Sequence, residues 1–131
     1  MLLSVRPGAG EEKSQEVFAE FYRGELKKQA AVLIAEWQPR LEVTVKRIFV
    51  QRMKTRWGSC NHHRKSIRLN TELAKKPIEC LEYIVVHEMV HLLEPTHNKH
   101  FVALMEHFLP NWLHLRKVLN GYPVRHEKWE Y

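Results

Sequence analysis

The chain has 131 residues, 44% of them hydrophobic and 27% charged, which suits one domain with a core and is too short for two. Its net charge is +6 and it contains no aspartate, so a site built on an Asp pair or a Ser-His-Asp triad is excluded. Cys60 and Cys80 make neither a disulfide framework nor a CxxC pair, and no run reaches the ~18–20 apolar residues of a membrane span.

Residues 1–12 include Pro7, Gly8 and Gly10 and read as a flexible lead; residues 1–5 are too short for the apolar part of a signal peptide. The chain is therefore expected in the cytoplasm, away from membranes. Over residues 14–37 the apolar side chains Val17, Phe18, Phe21, Tyr22, Leu26, Ala30, Leu33, Ile34 and Trp37 recur at helical spacing, which predicts a long amphipathic helix. Gly24 weakens it by ~1 kcal/mol, and Pro39 is expected to end it. Residues 41–53 change to a period of two, with Val43, Val45 and Ile48 as strand positions. Residues 57–65 read as a turn-rich connection. Residues 66–70 alternate again, predicting a second strand antiparallel to the first, and Asn70 or Thr71 is placed to cap a short helix or turn.

Pro77 opens a new helix where its missing N–H costs nothing. Leu81, Ile84, Val85, Val86, Met89 and Val90 lie nearly all round that helix, so it is expected inside the core. Pro95 stops it. A further amphipathic helix carries Phe101, Leu104, Met105, Phe108 and Leu109 up to Pro110. A last one carries Trp112, Leu113, Leu115 and Leu119 and ends at Asn120-Gly121. One domain over residues 13–121, followed by a tail over 122–131, accounts for the pattern.

The positive charge is concentrated. Between residues 40 and 76 lie eleven Lys and Arg, opposed by Glu42 and Glu72 alone. Such a block attracts nucleic acid, phosphate groups or acidic peptides. The same residues on an exposed sheet edge also discourage aggregation.

The chemistry centres on His87-Glu88-Met89-Val90-His91, which falls on the predicted buried helix. At ~100° per residue, His91 stands ~40° round from His87 and one turn along, so both imidazoles can meet one ion. Glu88 lies beside that position without having to be a ligand, where a carboxylate can take a proton from a water. Left uncoordinated in a core, these three polar groups would cost several kcal/mol. His97, just past the break at Pro95, is the expected third ligand; three histidines leave one coordination position for water. His100 shares a helical face with His97 and is the alternative. Cys60, His62, His63 and Cys80 are candidates for a separate structural zinc site, although their spacing is irregular. Glu94 and Glu106 are either acceptors that orient imidazoles or plain solvated carboxylates. His107, His114 and His126 read as surface residues.

Four stretches together resemble the YgjP-like metal-dependent hydrolases, a branch of the wider zincin-like metallopeptidases. They are Lys54-Thr55-Arg56-Trp57-Gly58-Ser59-Cys60, Ile67-Arg68-Leu69-Asn70, Val85-Val86-His87-Glu88-Met89-Val90-His91 and His97-Asn98-Lys99-His100-Phe101. The resemblance runs from about residue 18 to residue 119. It implies an α+β, zincin-like fold: a long N-terminal helix, a small antiparallel sheet, a buried active-site helix below a substrate groove, and C-terminal helices. It implies one zinc ion on His87, His91 and His97, with Glu88 as the catalytic base. It sets residues 56–60 near the sheet edge that lines the groove, so Arg52, Lys54, Arg56, Trp57 and Arg68 are the candidate substrate contacts. Family members usually carry a further β-rich region ahead of the long helix; this chain is then expected to be a minimal member or a catalytic fragment.

Three functions follow. In the first, zinc and Glu88 cleave peptide bonds while the sheet edge takes an extended peptide as an added strand. In the second, which the resemblance also implies, the same centre is a nucleoside triphosphate pyrophosphatase and the basic side chains hold phosphates. In the third there is no catalysis: the metal stabilises the fold and the block over 40–76 binds nucleic acid.

Overall fold

The structure is a computed structural model that describes residues 11–121. The tail over 122–131 and the first ten residues of the expected lead lie outside the described residues. Helix α1 spans Glu11–Leu41, so it begins within the stretch expected as lead and runs past Pro39. Its buried stripe starts at Leu26 and continues through Ala30, Ile34, Trp37 and Leu41, at spacings of three and four. Phe18, Phe21 and Tyr22 share the periodicity but remain 40–45% exposed, because the core begins one turn later.

Pro39 does not end α1 because other contacts hold the final turn. Leu41 is buried below it, and the Arg40 guanidinium stacks 3.7 Å from the Trp37 ring centroid. Termination comes at Glu42, which adopts a left-handed φ of 57°. The Val43 N–H then donates to the Gln38 carbonyl at 3.2 Å, the six-to-one bond of a Schellman end. The Gln38 side chain accepts a second bond, from the Val45 N–H at 2.8 Å.

Three short strands follow: β1 over Arg47–Gln51, β2 over Gly58–Asn61 and β3 over Ser66–Asn70. Their spatial order is β1-β3-β2. The strands expected as an antiparallel pair, β1 and β3, are parallel, with Arg47 opposite Ser66 and Gln51 opposite Asn70. The antiparallel partner of β3 is β2, which lies in the segment read as a turn-rich connection. The sheet is therefore mixed rather than antiparallel. The cause is a tight β2–β3 turn, in which the Asn61 side chain accepts from the His63 and Arg64 N–H groups and Lys65 takes a φ of 54°. That hairpin claims one edge of β3 and leaves β1 the other.

The connection over residues 52–57 must cross the end of β3 to join its two neighbours. Asn70, the last residue of β3, holds it there. Its amide donates to the Met53 and Arg56 carbonyls at 2.9 and 2.7 Å, and its oxygen accepts from the Met53 N–H at 3.4 Å. The same oxygen accepts from the Glu72 N–H at 3.1 Å and so caps a 3-10 turn over Thr71–Lys75. Asn70 is fully buried, and these bonds satisfy its amide.

Helix α2, Ile78–Val90, is the centre of the molecule. From Cys80 to Val90 only Glu82 is not buried, and its carboxylate accepts from the Trp37 indole N–H at 3.1 Å, tying α2 to α1. Helix α3, Lys99–Phe108, and helix α4, Trp112–Gly121, cover another side of α2. The architecture is α+β. No helix among the described residues is long and apolar enough to cross a membrane.

Candidate metal centre

The last turn of α2 carries His87, Glu88 and, at the helix end, His91. The chain then breaks through residues 91–98, and Asn98 starts α3 by accepting from the Phe101 N–H at 2.9 Å. This cap fixes two things. It leaves His97 in the loop, facing back towards α2. It also plants the buried Phe101 ring against all three imidazoles, with centroids 4.6–5.0 Å away.

The Nε2 atoms of His87, His91 and His97 face one another at 3.0, 3.1 and 3.2 Å. Among the described residues this is the group that could hold a metal ion. Four donors around an ion at ~2.0–2.1 Å in a tetrahedron stand ~3.3 Å apart. The three nitrogens are within a few tenths of an ångström of that spacing. The proton on His91 is also placed. Its Nδ1 lies 3.1 Å from the Glu94 carbonyl oxygen, which can only accept, so Nδ1 carries the hydrogen and Nε2 turns a lone pair to the centre. Burial, followed by the neighbouring imidazoles, holds His87 well below the usual histidine range, and burial also lowers His91. Both are then neutral at pH 7, the form that binds a cation.

Glu88 is almost completely buried and lies between α2 and β2. Gly58 makes room for it: a methyl on Gly58 would stand 3.2 Å from Glu88 Oε2, and 3.0 Å from both Ile84 Cγ2 and the Arg68 carbonyl. Cys60, two residues along the same face of β2, senses the carboxylate. Burial, with Glu88 as the second cause, pushes its thiol up to about 12.

The other candidates are scattered. His100 pairs with the Glu94 carboxylate at 3.1 Å and stays outside the cluster. Glu94 thus orients His91 through its backbone rather than its side chain. Glu106 accepts from the Trp112 indole N–H at 3.0 Å. His62 and His63 are exposed at the β2–β3 turn, and Cys80 is buried on α2, so no cluster forms with Cys60. Arg52, Lys54 and Arg56 are exposed on the connection over 52–57. Trp57 is buried in the core. Arg68 lies on the outer sheet face, over the Phe49 ring and bonded to Gln51 at 2.9 Å.

Beside the cluster is a cavity of about 310 Å³ whose lining includes His87 and His97. Tyr83, Phe101, Val102, Trp112 and Arg116 complete it. In the sequence Phe101 and Trp112 read as ordinary apolar helix positions, and neither Val102 nor Arg116 stands out. Tyr83 alone carried a local signal, since it sits four residues before His87 and so shares its face of α2.

Comparison with known proteins bears on this geometry. No curated protein matches the sequence. In fold, the chain is similar to the crystal structure of the metallopeptidase zymogen abylysin of Pyrococcus abyssi, with a TM-score of 0.67 at 18% identity. That match covers 74% of this chain and 97% of the other. It is also similar to the metallopeptidase zymogen jannalysin of Methanocaldococcus jannaschii, with a TM-score of 0.60 at 20% identity, covering 70% and 95% of the two chains. These likenesses show that the chain shares its fold with those two structures. The model of the YgjP-like metallopeptidase domain matches residues 2–122, and the chain belongs to that family.

Proposed function

We propose that the protein is a zinc-dependent peptidase in which His87, His91 and His97 hold one zinc ion and Glu88 is the general base. The observation that carries this reading is the convergence of three imidazole Nε2 atoms to within 3.2 Å beside a buried glutamate. A zinc ion held by these nitrogens would supply Lewis acidity, polarising a carbonyl and lowering the pKa of a water molecule towards ~7. Glu88 takes the proton from that water on its carboxylate and later delivers it to the leaving amine nitrogen. Phe101 packs against the three rings and keeps them in register. β2 is an edge strand packed on α2, which suits the addition of an extended peptide next to Glu88.

The pyrophosphatase reading draws less support. It relied on Arg52, Lys54, Arg56 and Arg68, and none of them lines the cavity beside the histidines.

The test compares wild type with Glu88→Gln and His97→Ala. Wild type should bind one equivalent of zinc and cleave unfolded polypeptide without releasing pyrophosphate from nucleoside triphosphates. Glu88→Gln should retain the zinc and lose turnover; full activity in that variant refutes the base assignment. His97→Ala should lose zinc, whereas His100→Ala should keep it.

A further inference from the structure

The cavity beside the histidine cluster has a chemistry of its own. Two of its wall residues, His87 and His97, belong to the cluster, so its occupant lies next to the reacting bond. At about 310 Å³ it is at the small end of ligand sites and suits one residue of a substrate. Phe101, Val102 and the ring of Tyr83 make its sides apolar, and the polar atom of Trp112 is already committed to Glu106. Two polar groups remain. Arg116 is exposed, and among the described residues no carboxylate pairs with it. The Tyr83 hydroxyl likewise has no hydrogen-bonding partner among the described residues.

We propose that this cavity recognises a carboxylate on an apolar stem, held by the Arg116 guanidinium and the Tyr83 hydroxyl, and so directs cleavage to a bond next to an acidic position. The proposal rests on the peptidase reading of the adjoining centre. A guanidinium and a phenol are both donors, and a carboxylate is the acceptor that two donors in the wall of an otherwise apolar cavity select. Two sources share that chemistry: the side chain of a substrate glutamate, and the terminal carboxylate of a peptide.

The experiment uses the zinc-loaded full chain carrying Glu88→Gln, so that binding is read apart from turnover. Fluorescein-labelled peptides are titrated by anisotropy in two pairs. One is Ala-Ala-Glu-Ala-Ala amide against its Gln counterpart. The other is Ala-Ala-Ala-Leu with a free C-terminus against its amide. The acid should bind at least about tenfold more tightly than its neutral mate in one pair, the factor that a charge-assisted hydrogen bond carries. The first pair identifies a side-chain carboxylate and the second a terminal one. Arg116→Gln should abolish the preference and Tyr83→Phe should weaken it, while Arg52→Gln leaves it intact. Equal affinities in both pairs, no binding by any peptide, or a preference that survives Arg116→Gln overturns the proposal. Failure of the peptidase reading looks different: the preference is present, yet wild type cleaves none of the peptides.

Discussion

Replacing Gly58 with alanine is the sharpest probe of how the sheet and the site fit together. The new methyl would meet Ile84 Cγ2 and the Arg68 carbonyl at 3.0 Å and Glu88 Oε2 at 3.2 Å. Carbon–carbon contacts are most favourable at ~3.5–4.0 Å, so a retreat of about 0.5 Å is required. The Arg68 carbonyl cannot supply it, because Arg68 is within the β2–β3 ladder. The strain therefore falls on α2, through Ile84 and Glu88. Overpacking of this kind costs about 1–3 kcal/mol. For a chain of this size that is about 3–5 °C in Tm per kcal/mol. Urea denaturation of the zinc-loaded protein measures the loss, and turnover on unfolded polypeptide measures how far Glu88 has moved. Ile84→Ala alone should cost ~2–5 kcal/mol through its cavity. Combined with Gly58→Ala it should cost less than the sum, since the methyl enters the space that Ile84 vacates. Strict additivity, or a Gly58→Ala protein as stable and as active as wild type, refutes the account of β2 resting on Glu88.

Asn70→Ala should destabilise by about 2–4 kcal/mol, because four hydrogen bonds to Met53, Arg56 and Glu72 are lost in a buried place. Asn70→Asp should not rescue it, since a carboxylate would face the two carbonyls that the amide now serves; denaturant midpoints decide both. Glu42→Gly should stabilise by about 0.5–1 kcal/mol, since glycine takes the left-handed conformation of Glu42 at no steric cost. A drop in Tm would show that the end of α1 is not set as described. The metal-free protein should lose stability as pH falls below ~6.5. His87 and His91 are depressed in the folded state, so there the unfolded chain binds more protons. Each contributes up to about 1.4 kcal/mol per pH unit until its own folded pKa is reached. A flat profile between pH 7 and 5 contradicts it, and His87→Gln should make the slope shallower.

The candidate site was legible in the sequence where its residues are local. His87, Glu88 and His91 share one helix, so spacing alone sets their relation. The apolar residues around them mark that helix as buried. His97 and His100 were harder to tell apart, because the choice depends on where α3 begins, and that is decided by the Asn98 cap. The sheet order was misread for a different reason. Pairing is non-local, and β2, the strand that displaced β1 from the expected arrangement, has no hydrophobic alternation, only Gly58-Ser59-Cys60-Asn61. Pro39 misled because its local penalty is outweighed by Leu41 and the Arg40–Trp37 stack. Arg116 gave no signal, since it comes to the cavity from a helix far along the chain.

The three histidines do not share one element. Two stand on α2, while the third belongs to the strand of loop that launches α3. Any cation seated among them is therefore a clasp between two parts of the backbone that the Phe101 ring already brings together. Phe101 and Val102, which shape the neighbouring cavity, sit in the first turn of α3, only a few residues beyond the clasp. Chelation should then blunt discrimination among ligands as well as reactivity, so selectivity and chemistry would rise and fall together with metal supply.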